Sequence, residues 1–299
     1  MRIFNIEAYI SYWAKKVNTF LDGYLYPDET NKALVESMRY SVFAGGKRIR
    51  PVIIYSAYGI FDSNFEKATP FACAVEMLHT YSLIHDDLPA MDNDNFRRGK
   101  PTNHRVYGEA VAVLAGDALL TKAFELMLDR KVNVEAEPEV LLDAAYNLAA
   151  ATGESGMIGG QYLDISKNKE EENAPLFLEV IHYRKTAKLI AYSAELGAIL
   201  GYATSMDREN LRYYGEKIGY AFQIVDDILD IEAVDKELGK DTGRDKSLNK
   251  ITYPAFYGVE GSRKRASSLI EEAIDKISLY GEAATPLIEI AKYIINRSK

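Results

Sequence analysis

Ala221-Phe222-Gln223-Ile224-Val225-Asp226-Asp227-Ile228-Leu229-Asp230 is the stretch on which the fold class turns. Its polar members, Gln223, Asp226, Asp227 and Asp230, recur at i, i+3, i+4 and i+7, one stripe of a helix. Phe222, Ile224, Val225, Ile228 and Leu229 leave no other polar face, so an ordinary solvated acidic surface does not account for the pattern. Asp226 and Asp230 stand one turn apart and can aim at the same cation.

The helical period extends along the chain and predicts helices over roughly 4–21, 29–43, 48–60, 65–88, 107–130, 138–155, 175–201, 207–231, 261–279 and 283–296. Asp28 is placed to open the second and Asp207 the eighth. Gly45-Gly46 stops the second, and Pro51 suits the opening turn of the third. No segment alternates with period two. The expectation is an all-α protein, with no linker or composition break dividing a single domain over 1–299. A hydrophobic content of 47% supports a sizeable core, and 9 prolines are too few for a loop-rich all-β chain.

A second aspartate group precedes the first in sequence: Asp86-Asp87-Leu88-Pro89-Ala90-Met91-Asp92, following the apolar run Tyr81-Ser82-Leu83-Ile84. Carboxylates crowded among apolar residues lose hydration and repel, at several kcal/mol per ion, unless a cation lies between them. Oxygen-only ligands suit Mg²⁺, which takes one or two carboxylates together with water and substrate phosphates. Asp86 and Asp92 are too far apart for one helix face, but Pro89 breaks the helix and an irregular turn can bring Asp92 back. Arg97 and Arg98 follow closely, and paired guanidinium groups grip phosphate oxygens in bidentate fashion. Gly45-Gly46-Lys47-Arg48-Ile49-Arg50 adds a glycine turn and three cations at a helix start, a weak anion-binding pattern by itself. His79 lies two turns before Asp86 on the same face. Lys185, Thr186, Lys240 and Lys250 are further phosphate candidates. The polar segment 232–250 follows the second aspartate group directly and reads as a lid rather than a tether.

A net charge of −8 argues against nucleic acid as the main partner. One cysteine, Cys73, forms no intramolecular disulfide and fits a reducing cytosol. No apolar run approaches the ~18 residues that span a bilayer. The amino-terminal residues alternate too often for a signal-peptide core, and a cytoplasmic location is expected. Phe4, Trp13, Val17 and Phe20 form a stripe expected to face a core or subunit rather than a membrane. Four histidines in all, with no Ser/His/Asp spacing, give no sign of a catalytic triad.

Taken together, these motifs resemble the trans-isoprenyl diphosphate synthase family. The resemblance rests on residues 45–51, on 86–102, on Gly159-Gly160-Gln161-Tyr162-Leu163-Asp164, on Lys185-Thr186 and on 222–230. It implies an antiparallel helical bundle with both aspartate motifs facing a deep apolar cavity, in a homodimer. It also implies roles. Asp86, Asp87, Asp92, Asp226 and Asp230 would hold several Mg²⁺ ions, about three with diphosphate bound. Arg97, Lys185, Thr186, Gln223 and Lys240 would contact the allylic diphosphate. Lys47, Arg50, His79 and Arg98 would bind isopentenyl diphosphate. Asp86, Asp87, Asp92, Asp226 and Lys185 would carry the chemistry of ionisation, condensation and proton loss, with released pyrophosphate as the base. In the family, bulky side chains below the first motif stop chain growth. Tyr81 with small Ser82, and the Pro89-Ala90 insertion, resemble the bacterial enzymes that stop at C15, farnesyl diphosphate. A C20 or longer product is the alternative, and a terpene cyclase or a regulatory subunit of a heteromeric synthase lies further off. Asn95 departs from the aspartate that many relatives carry there, outside the residues assigned to metal.

Overall fold

The computed structural model describes residues 4–166, 174–238 and 252–297, with the side chains of 233–238 left aside. It is all-α, as expected. Among the described residues the only strands are Phe96–Arg97 (β1) and Lys100–Pro101 (β2), a two-residue antiparallel ribbon pairing Phe96 with Pro101. The chain divides into two compact units. One comprises the residues up to Tyr146 with Ile199–Tyr202, the other Asn147–Ala198 with the residues from Ala203 onward.

In the first unit, α1 (Ile6–Tyr24) is capped by Asn5, whose side chain accepts from Ala8 N at 3.0 Å. Ile10, Trp13, Val17 and Leu21 are buried; of the predicted stripe, Trp13 and Val17 face the core while Phe4 and Phe20 are half-buried. Trp13 stacks on Tyr55 at 4.1 Å. The next helix, α2 (Lys32–Val42), starts later than predicted. Asp28 spends its carboxylate on Thr30 N (2.7 Å) and Asn31 N (3.1 Å), closing a turn one step earlier. Both α3 (Ile49–Tyr58) and α4 (Thr69–Asp86) are buried nearly all round, from Pro51 to Tyr58 and from Thr69 to Leu78, as helices at the centre of a core must be. The predicted helix at 107–130 is two, α5 (Asn103–Tyr107) and α6 (Glu109–Leu128), separated at Gly108. Small residues let α6 lie close on α4. Ala112, Ala115 and Gly116 are buried there, and His85 Nε2 lies 3.0 Å from Val113 O. The helix α7 (Pro138–Thr152) begins in this unit.

In the second unit, α8 (Met157–Ile165) was read only as a motif, because its glycines hide the helical period. The helix predicted at 175–201 is interrupted. The segment α9 (Ala174–His182) passes into a widened π turn (Tyr183–Ala187) and then into α10 (Lys188–Leu200). The long α11 (Ser205–Leu238) carries the second aspartate motif. Thr204 and Asp207 cap it reciprocally, Thr204 Oγ1 donating to Asp207 Oδ2 at 2.6 Å and Asp207 N donating to Thr204 Oγ1 at 3.2 Å. Thus Asp207 sits inside the first turn rather than before it. The helix α12 (Tyr253–Ile277) begins well before the predicted 261, its period broken in sequence at Gly258. Last comes α13 (Thr285–Asn296), held to α11 by the Tyr214 hydroxyl, which donates to Leu287 O at 2.6 Å.

Candidate active site

In the first unit, α4 ends at Asp86 and the chain folds straight back. Met91 N donates to Leu88 O at 2.9 Å and Asn93 N to Leu88 O at 3.0 Å. Asp92 N donates to Asp86 O at 2.9 Å. The two aspartates are therefore backbone neighbours, by the Pro89 break that the sequence predicted. Asp87 behaves differently, being buried and taking Arg97 Nε at 2.7 Å and Nη2 at 2.6 Å. Burial pushes its carboxyl pKa up, against the pull of Arg97.

Beyond the ribbon, the Arg98 guanidinium donates to Gly45 O and lies against Gly46. A Cβ on Gly46 would come within 2.5 Å of Arg98 Nη1, and its φ of +114° is itself a glycine conformation. Gly46→Ala is accordingly expected to dislodge Arg98 and to weaken inorganic pyrophosphate binding about tenfold, the scale of one charged hydrogen bond. Titration calorimetry checks it, and unchanged affinity would remove Arg98 from the anion site.

Of the three cations at 47–50, Arg48 belongs to the core. It is buried, donates to Glu76 Oε1 at 3.0 Å, Gly45 O at 2.8 Å and Asn18 Oδ1 at 3.0 Å, and also reaches Val42 O. Lys47 is exposed at the start of the same turn. His79 stands in a field of arginines. Burial first, then Arg50, Arg98, Arg97 and Arg48, hold its pKa well below the usual range, so the imidazole is neutral. The structure thus brings Arg50, His79, Arg97 and Arg98 into one positive region suited to an anion. Lower on α4, Tyr81 is buried and its hydroxyl has no hydrogen-bond partner among the described residues. Burial, then Asp86, pushes that hydroxyl's pKa up to about 12. Ser82 donates to His79 O at 2.9 Å.

In the second unit, the side chain of Asp226 is 38% exposed against 8% for Asp227, while Asp230 is exposed. Burial pushes Asp226 up to about 6; Arg297 opposes this, and the charges of Asp230 and Asp227 add to it. Arg297 is a residue that the sequence reading missed. Its guanidinium donates to Asp226 Oδ1 and to Phe222 O, and lies 3.7 Å over the Phe222 ring. Nothing in the sequence near Arg297 points to a partner 71 residues away.

The widened turn is the other half of this site. Lys185 Nζ donates to Asp164 Oδ2 at 2.7 Å, and the Thr186 hydroxyl donates to Gln223 Oε1 at 2.9 Å. The helix α8 meets the turn backbone to backbone, because a Cβ on Gly160 would lie 2.3 Å from Lys185 N. Thr186 is thus bonded to Gln223 and Lys185 adjoins it in the turn, with Asp164 as a pairing residue that was quoted in a motif but given no role. Lys240, Lys250 and most of the predicted lid lie outside the described residues.

Neither aspartate group is a finished metal site. Among the described residues no group of three or more His, Cys, Asp or Glu side chains converges on one point. The donor chemistry still fits Mg²⁺: hard carboxylate oxygens in small sets, needing phosphate oxygens to complete the shell. A covalent thiol mechanism does not fit, since Cys73 is fully buried and burial holds its thiol well above the usual range. Among the described residues no helix is long and apolar enough to cross a membrane.

The polyprenyl synthetase family model matches residues 31–285. The geranylgeranyl diphosphate synthase of Cyanophora paradoxa is 46% identical over 265 residues, 89% of this chain and 88% of that protein. A chloroplastic geranylgeranyl pyrophosphate synthase of Capsicum annuum is 45% identical over 295 residues, 98% of this chain and 79% of that protein. Among solved structures, an FPP/GFPP synthase from Zymomonas mobilis superposes with a TM-score of 0.86 at 36% identity, covering 97% of this chain and 99% of that one.

Proposed function

This chain belongs to the polyprenyl synthetase family and is a prenyltransferase of isoprenoid biosynthesis; from that premise we propose that it condenses isopentenyl diphosphate with allylic diphosphates to geranylgeranyl diphosphate. What supports the reaction class is that one chain carries two aspartate groups of Mg²⁺-suited donors and, in its first unit, Arg50, His79, Arg97 and Arg98 in one positive region suited to an anion. The curated relatives' names support C20 over the C15 expectation.

Asp86, Asp87, Asp92, Asp226 and Asp230 would hold the Mg²⁺ ions. Bound Mg²⁺ would supply Lewis-acid stabilisation of the departing diphosphate. Arg97, Lys185, Thr186, Gln223 and Lys240 would hold the allylic diphosphate, Arg97 steadied by Asp87 and Lys185 by Asp164. Lys47, Arg50, His79 and Arg98 would hold isopentenyl diphosphate, a neutral His79 contributing a hydrogen bond rather than charge. Apolar walls from α4 and α6 would keep water from the reacting carbons. Exposed Leu114 (56%) and Val113 (39%) on α6 support a homodimer.

C15 is the second reading, favoured by Tyr81. A buried tyrosine whose hydroxyl has no partner among the described residues suits the floor of an apolar cavity. The deciding assay uses purified protein with Mg²⁺, isopentenyl diphosphate and dimethylallyl diphosphate, resolving products by chain length. C20 supports the main reading and C15 the second; no product would leave a subunit that needs a partner. Tyr81→Ala is expected to lengthen the dominant product by at least one C5 unit in the same assay. An unchanged product spectrum would remove Tyr81 from the floor.

A further inference from the structure

Asp227 sits in the middle of the second aspartate motif but turns away from its neighbours. It is buried, and both of its carboxylate oxygens are engaged by protein. Gln223 Nε2 donates to Oδ1 at 3.1 Å, and Tyr253 N donates to Oδ2 at 2.8 Å. His182 Nε2 lies 3.4 Å from Oδ2, and its Nδ1, also buried, has no hydrogen-bond partner among the described residues. The imidazole further stacks on Tyr253, with ring centroids 6.3 Å apart. Asp227 therefore touches the last residue of α9, the first residue of α12 and, through Gln223, the Thr186 hydroxyl within the π turn.

We propose that Asp227 is a positioning residue rather than a metal ligand: it pins both ends of the π turn, through His182 and Gln223, and so sets where Lys185 and Thr186 stand. The argument is geometric. A π turn has poorer hydrogen-bond geometry than the α-helix around it and persists where something holds it open. Gln223 is a rigid link only because an ionised carboxylate accepts and never donates. Facing Asp227, the Gln223 amide must present Nε2, which leaves Oε1 for Thr186. Replace the carboxylate with an amide, and Gln223 meets a group that both donates and accepts. Its orientation is then no longer dictated, and Tyr253 N and His182 face a possible donor. Asp226 instead takes the Arg297 guanidinium, and it and Asp230 lie on the more exposed side of α11.

The proposal rests on the prenyl diphosphate synthase reading for its kinetic half, and its structural half stands without it. The test compares Asp227→Asn with Asp226→Asn in the full-length protein. In ligand-free protein, backbone hydrogen exchange over 183–187 and at Tyr253 is expected to quicken about tenfold or more in Asp227→Asn, and to stay at the wild-type rate in Asp226→Asn. In kinetics, Asp227→Asn is expected to raise KM for the allylic diphosphate about tenfold while the half-saturating Mg²⁺ concentration moves less than about twofold. Asp226→Asn is expected to shift the Mg²⁺ requirement instead. Thr186→Val cuts the same link from the other end and leaves Asp227 intact. It covers the case in which Asp227→Asn does not fold, and it should also quicken exchange over 183–187. Wild-type exchange over 183–187 in whichever variant folds would overturn the tether. A Mg²⁺ shift in Asp227→Asn as large as in Asp226→Asn would overturn it in favour of metal ligation. Should the wild-type protein form no prenyl product, the functional reading falls and the exchange comparison still decides the tether.

Discussion

Asp226→Ala is expected to cut kcat by roughly a thousandfold, about 4 kcal/mol, the scale of losing one anchor of transition-state charge stabilisation. Asp86→Ala should act alike. Both should leave the far-ultraviolet circular dichroism spectrum unchanged, and near-normal turnover in either would break the metal assignment for that residue. Asp226 also gives a signature in the ligand-free protein. Its folded pKa, about 6, lies above the ordinary 3.8, because burial penalises the charge more than Arg297 relieves it, with the charges of Asp230 and Asp227 adding to the rise. For such a group the folded state binds the proton more tightly than the unfolded state. Its contribution is most favourable below the unfolded pKa and is lost as pH rises through the folded one. Asp226→Asn is therefore expected to raise the melting temperature of metal-free protein at pH 7 to 8, with the advantage fading below about pH 4. A residue that lowers stability when alone and raises turnover when loaded is serving the site. A drop in the melting temperature at pH 8 would instead make the Arg297 pair structural.

Arg48→Met is expected to be the most destabilising single change, at about 3–5 kcal/mol. Glu76 would remain buried without its partner, and Gly45 O and Val42 O would lose donors. Each partner's side chain is at most 3% exposed, so water cannot replace the interaction without opening the core. The double variant Arg48→Met/Glu76→Leu should recover most of the loss, because removing both charges removes the desolvation penalty with the attraction. Denaturant unfolding of the three variants checks this. If the double variant is as unstable as the single one, the contribution comes from packing and carbonyl capping rather than from the ion pair.

Much of this was legible in the sequence. Helices with an unbroken apolar period were found, and so was the return of Asp92 to Asp86, because proline has a definite backbone effect. What was missed had no local signal. The helix α8 hides behind Gly159 and Gly160, and the start of α12 behind Gly258. The fate of Arg48, core rather than surface, depends on Glu76 on another helix. Adjacent aspartates on a helix diverge by about 100°, so sequence shows that Asp226 and Asp227 differ. It does not show which one turns inward, since His182 and Tyr253 are remote in the chain. Lys240 stays outside the described residues, and Tyr81 alone argued for a shorter product than the relatives' names support.

The π turn also has a consequence for how two straight rods can lie side by side. Along α9 and α10, the positions that meet α11 fall at every fourth residue. Glu179 O takes the Tyr220 hydroxyl, Tyr183 stacks on Tyr220, Ala187 crowds Gly219 and Ala191 crowds Gly215. An uninterrupted α-helix of about 3.6 residues per turn rotates such a seam by roughly 40° at each step, and soon carries it out of register. Coiled coils absorb that drift by winding gradually around each other. Here one dislocation, placed between Tyr183 and Ala187, absorbs much of it in a single turn. The seam stays straight, and the wide turn that keeps it so is the one that bears Lys185 and Thr186.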